Sequence, residues 1–173
     1  MYGYFSPLYW IFALPALLYG MYAQYKVKAA YSKYSRVRNA RNVTGLDAAQ
    51  RLLAVAGLGH VRVGQTSGQL TDHYDPRSKE LALSQGVADV PSVAALGVVA
   101  HEVGHAVQDA EGYRPLRWRG ALVPAVQVGS WVGPLLFIIG LALNLGRLPE
   151  IGLLLYSLTL VFALVTLPVE RNA

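Results

Sequence analysis

Ala100-His101-Glu102-Val103-Gly104-His105-Ala106 carries the pattern H-E-x-x-H, and the rest of the chain is arranged around it. On a helix, His101 and His105 stand one turn apart and project from the same face, close enough to share a single ion, with Glu102 alongside. Two neutral imidazoles and one more ligand can hold Zn²⁺ with a position open for water, and an adjacent carboxylate can take that water's proton. Two histidines and a glutamate also fall at this spacing on ordinary buried helices. The pattern alone is therefore weak, and its surroundings decide.

Immediately upstream, Pro91 and Ser92 read as a helix start with Ser92 as N-cap, and the helix runs through the motif to about Glu111, before Gly112. Its first two turns, Val93 to Ala100, are entirely small and apolar, which predicts burial on most sides. Earlier still, Thr44 and Asp47 resemble a capping box that opens a helix through Val55, ended by Gly57 and Gly59. His60-Val61-Arg62-Val63 alternates like a short strand and Lys79 to Ser84 is a second candidate; with the Asp75-Pro76 turn between them they predict a small hairpin.

The 173 residues are 54% apolar and only 14% charged, against about 25% charged in ordinary soluble domains. That shortfall points to a lipid bilayer. There is no cysteine, so a transition-metal site must be built from histidine and carboxylates. A formal charge of +5 would admit nucleic acid, but the basic residues sit beside apolar segments, where they read as topology signals and contacts to anionic lipid. No nucleic-acid partner is expected.

Three stretches read as membrane spans, at about 4–25, 121–146 and 151–169. The first has tyrosines toward both ends and lacks the basic start and small-residue cleavage site of a signal peptide, so it is expected to be a retained anchor. Lys26, Lys28, Lys33, Arg36, Arg38 and Arg41 follow with no acid among them, which predicts a cytoplasmic flank. Arg114, Arg117 and Arg119 place the start of the second span on the same side, and the hairpin returns Glu170 to it. The expected architecture is a mainly α membrane protein: an anchor (1–25), a small α+β gluzincin-like cytoplasmic insert carrying the H-E-x-x-H helix (26–119), and a transmembrane hairpin (120–173). No internal repeat or low-complexity segment interrupts it.

A catalytic zinc needs a third protein ligand. Asp109 lies two turns from His101, about 12 Å along a helix, and cannot join both histidines. A metzincin would carry glycine and histidine three and six positions after the second histidine; Gln108 and Glu111 stand there instead. Thr166-Leu167-Pro168-Val169-Glu170 supplies a carboxylate at a membrane boundary, where it costs desolvation unless paired or coordinated. Glu170 is the favoured third ligand, with His73 its main rival. His73 has three other readings: an oxyanion donor, a partner orienting a ligand, or a residue fixing the Asp-Pro turn. His60 is a strand residue with no assigned role.

Three motifs in order, Leu70 to Pro76, Val99 to Ala106 and Thr166 to Glu170, together with the layout of spans, resemble the YugP-like family of membrane-bound neutral zinc metallopeptidases. The resemblance covers nearly the whole chain. Where family members continue past the glutamate, this chain has Arg171-Asn172-Ala173. The resemblance implies a multi-pass peptidase of a bacterial cell membrane, with His101, His105 and Glu170 binding Zn²⁺ and Glu102 as catalytic base. A peptide or membrane-protein substrate would then be expected, with the strand Lys79 to Ser84 pairing with it, and a homo-oligomer stays open. Two rivals are a zinc hydrolase of a non-peptide amide or lipid-linked substrate and a membrane scaffold that does not cleave; the intact Glu102 argues against the scaffold.

Overall fold

The structure is a computed structural model that describes residues 7–173. It is mostly helical with one small sheet: α1 (Pro7–Tyr34), α2 (Gly45–Val55), β1 (Arg62–Thr66), β2 (His73–Asp75), β3 (Glu80–Ser84), α3 (Gln85–Ala88), α4 (Val93–Ala110), α5 (Arg114–Ala142) and α6 (Leu148–Asn172).

Among the described residues, two helices are long and apolar enough to cross a membrane, α5 and α6. Three spans were expected, so the first is corrected. Its opening residues lie outside the described part, and the rest belongs to α1, which runs on through Lys26, Lys28 and Lys33. Tyr19, Tyr22, Gln24 and Tyr25 dilute its apolar character, since tyrosine and glutamine favour an interface over hydrocarbon. The hairpin boundaries shift as well, α5 beginning at Arg114 and ending at Ala142. Only 11% and 6% of the apolar windows of α5 and α6 are buried within the protein, unlike the core helices of a soluble bundle.

The two long helices pack against one another through small residues. A Cβ on Gly133 would press on the backbone of Gly152 and Tyr156, and one on Gly152 would press on Gly133 and Phe137. Close approach of this kind is how helices associate where water cannot drive them together. Its consequence is positional. The start of α5 and the end of α6 return to the same place, and Arg119 meets Glu170 there.

Between α1 and α5, helix α4 packs with α2, α3 and the sheet. Thr44 closes the capping box at the start of α2, and the Ser92 hydroxyl accepts the Ala95 N–H at the start of α4. The strands lie in the order β1-β3-β2, with β1 parallel and β2 antiparallel to β3. The hairpin therefore joins β2 to β3 across the Asp75-Pro76 turn, and not β1 to β3. His60 precedes β1 and is exposed. Strand β3 is central, with both edges paired, so it cannot take up an extended substrate as expected; β1 and β2 are the outer strands of the sheet, and β2 packs with α4. A parallel β1–β3 pairing has no local turn signal, which is why the residues did not disclose it.

Leu81, Leu83, Val87, Ala95 and Val99 are sealed from solvent in a single core that ties sheet to helix. Truncating Leu83 to alanine is expected to cost about 2–5 kcal/mol. Thermal unfolding of the detergent-solubilised protein should show a clearly lower midpoint, and an unchanged midpoint would mean that this core does not hold the fold.

Candidate metal centre

His101 and His105 lie on α4 with ring centroids 4.7 Å apart. Glu170 comes to them from α6, sixty-nine residues away from His101 in sequence. Its Oε2 stands 3.1 Å from His101 Nε2 and 3.5 Å from His105 Nε2, while its Oε1 meets Arg119 Nη1 at 3.3 Å. One oxygen is thus held by the guanidinium and the other is turned to both imidazoles. Among the described residues these three form the one group of histidine and carboxylate ligands gathered this way, with a ligand atom of each within 4.8 Å of the others.

The other candidates are placed elsewhere. His73 is exposed on β2, and its Nδ1 donates to the Thr71 carbonyl at 2.8 Å. Asp109 accepts from Tyr74 Oη at 2.7 Å and also pairs with Lys79. Glu111 caps the C-terminal end of α4.

Two features bring Glu170 into place. Gly104, between the histidines, leaves room for the Ala173 backbone, which a Cβ there would strike. Gln108, 2% exposed, does more. Its Nε2 donates to the Val169 carbonyl and to Asn172 Oδ1, both at 2.9 Å, and its Oε1 faces His105 Nδ1 at 3.0 Å. A carbonyl can only accept, so Val169 fixes which end of the amide is nitrogen; the remaining oxygen then requires a proton on His105 Nδ1. In the neutral ring Nε2 then keeps its lone pair, on the side of Glu170. One buried amide therefore meets His105 Nδ1 and grips the helix that carries Glu170.

Sequence reading passed over Gln108 except as a residue that rules out a metzincin. The available signal was a polar side chain one turn beyond His105 on the buried face. Outer partners of this kind are worth about 10–100-fold in metal affinity. Gln108→Ala is expected to weaken zinc binding by that order in a competition titration with a chromogenic chelator, and unaltered affinity would remove the residue from the site.

Glu102 is 9% exposed, and its Oε2 accepts the Tyr74 N–H at 3.0 Å. Burial raises its pKa above the ordinary carboxylate value; the neighbouring His105 and His101 and the Tyr74 N–H pull the other way. Tyr74 is held protonated by burial and by its bond to Asp109. The strand β2 is in this way fastened to α4 at both Glu102 and Asp109.

The donor set suits zinc. Bonds of about 2.0–2.2 Å around a tetrahedral ion put its ligands roughly 3.3 Å apart, and the two carboxylate–imidazole distances of 3.1 and 3.5 Å bracket that spacing. Two imidazoles and one carboxylate also match a three-ligand site that keeps a position open.

Comparison with known proteins leads to the same chemistry. The profile of a family described as “Putative neutral zinc metallopeptidase” matches residues 9–173. This chain belongs to that family. Within the neutral zinc metallopeptidases, it is similar to the “Putative membrane protease YugP” of Bacillus subtilis (strain 168), with 42% identity over 166 residues covering 96% of this chain and 74% of the relative. No solved structure matches it.

Proposed function

We propose that this protein is a zinc-dependent membrane peptidase in which His101, His105 and Glu170 hold the ion and Glu102 is the general base. The observation that carries this reading is the meeting of Glu170 Oε2 with both Nε2 atoms on the helix that also bears Glu102. When bound, zinc supplies a Lewis acid that polarises a peptide carbonyl and lowers the pKa of a coordinated water to about 7.

The chain's own residues do the rest. Glu102 takes the proton of the attacking water and later gives it to the leaving amine. The Tyr74 N–H holds one carboxylate oxygen of Glu102, leaving the other for the proton. Gln108 keeps His105 in the tautomer that presents Nε2, and Arg119 restrains Glu170 through Oε1. The gluzincin-like assignment rests on the carboxylate coming from a separate, later helix.

The α5–α6 hairpin would lie in the bilayer and present Glu170 to the unit of about 26–119 at one membrane face. The runs Lys26 to Arg41 and Arg114 to Arg119 favour the cytoplasmic face. The substrate would be a peptide segment or an exposed part of a membrane protein. The test is removal of metal. Purified protein should cleave an unfolded protein such as reduced casein, lose that activity on dialysis against a chelator, and regain it with stoichiometric zinc; cleavage that survives chelation would sink the reading.

A further inference from the structure

A continuous apolar groove leads away from His101 and Glu102 between α1 and α4. Its inner part is a cavity of about 390 Å³ walled by Val27, Leu70, Gly97 and Val98 and ending on Asp72, His101 and Glu102. The same Val27, Leu70, Gly97 and Val98 continue into an outer cavity of about 320 Å³, where Tyr34 and Val93 join them.

Two local choices here run against ordinary preference. Gly97 sits inside α4, where glycine is the least favoured residue after proline. A Cβ at that position would meet nothing within 4 Å, so packing does not demand the glycine. The space it leaves is the groove. Leu70 has φ of 56°, a region that leucine seldom adopts, and its side chain is left 41% exposed at the groove. Its loop is pinned: Thr71 Oγ1 donates to the Ser67 carbonyl at 3.0 Å, and Asp72 accepts from Ser84 N at 2.7 Å. Strain that surrounding bonds hold in place is characteristic of functional segments.

We propose that this groove receives apolar side chains of the substrate on one side of the bond that is cut, so that the protein selects peptides with large apolar residues there. The proposal rests on the metallopeptidase reading for what lies at the groove's inner end. A peptide is favoured over a lipid chain because the polar groups at that end include the carboxylates of Asp72 and Glu102. Both repel an anionic headgroup, and Asp72, which has no part in the proposed proton transfer, can accept a peptide N–H.

The experiment uses the full chain in phosphatidylcholine nanodiscs, zinc-loaded and carrying Glu102→Gln so that ligand is not consumed. Two soluble fluorescein-labelled peptides of alanine and serine, identical except for a central Leu-Leu or Ser-Ser pair, are compared by anisotropy against empty nanodiscs. The Leu-Leu peptide should bind at least roughly tenfold tighter, because sequestering one leucine already exceeds that factor. Gly97→Leu, which fills the groove, should bring the two within about twofold while zinc content stays unchanged, and Gly97→Ala should keep the preference. Equal binding of both peptides to the Gly97 protein, or a preference that survives Gly97→Leu, would overturn the proposal. Cleavage of both peptides at equal rates by the protein with Glu102 intact would defeat the groove but leave the peptidase standing; groove binding without any zinc-dependent cleavage would do the reverse.

Discussion

Glu102→Gln is expected to abolish peptide cleavage, by about 10²–10⁴-fold, the range that general-base catalysis supplies, while zinc content stays at that of the parent. The reason lies in what the substitution keeps. Glutamine has the same shape and its amide oxygen can still accept the Tyr74 N–H that Glu102 Oε2 accepts at 3.0 Å. Glu102 does not hydrogen-bond His101, His105 or Glu170, so the substitution leaves those three side chains undisturbed. Glutamine cannot accept and carry a proton. A variant that still cleaves casein at close to the parental rate would show that another group is the base; one that loses zinc as well would show that Glu102 holds the site together.

The second large effect concerns Glu170. Glu170→Ala is expected to lower zinc affinity by at least about 100-fold, since a direct ligand must count for more than the 10–100-fold of an outer partner, and cleavage should disappear at ordinary zinc concentrations. The substitution also strands Arg119, whose Nη1 meets Glu170 Oε1 at 3.3 Å, and places an unpaired cation beside the ion. Arg119→Ala tells the two causes apart. It leaves the carboxylate present but unrestrained, and should cost less affinity than loss of the carboxylate itself. Equal zinc binding by Glu170→Ala and the parent would remove Glu170 from the ligand set.

Much of the molecule could be read from residues whose partners lie nearby in sequence. The Ser92 cap, the Thr44 capping box, the span of α4 and the apolar character of α5 and α6 each depend on contacts within a turn or two. The approach of Glu170 was legible for a different reason, because two long antiparallel helices must return the chain to the end it left. The misreadings share a cause as well. The pairing of β1 with β3 is parallel and needs a crossover, so no turn marks it. The substrate edge was assigned to β3 because β2, three residues long, was taken as part of a turn. Gln108 reaches Val169 and Asn172 across 61 and 64 residues, a link that no local pattern encodes. The first stretch was read as a span with tyrosines toward both ends, but those tyrosines and Gln24 lower the apolar character of α1.

Zinc K-edge X-ray absorption on the purified protein, compared with Glu170→Ala, tests the central claim most directly. The account predicts about one zinc per chain in a shell of nitrogen and oxygen donors with the signature of two imidazoles, and loss of an oxygen donor, or of the metal itself, in the variant. A parent protein that retains no zinc, or a shell that is the same in both proteins, would contradict it.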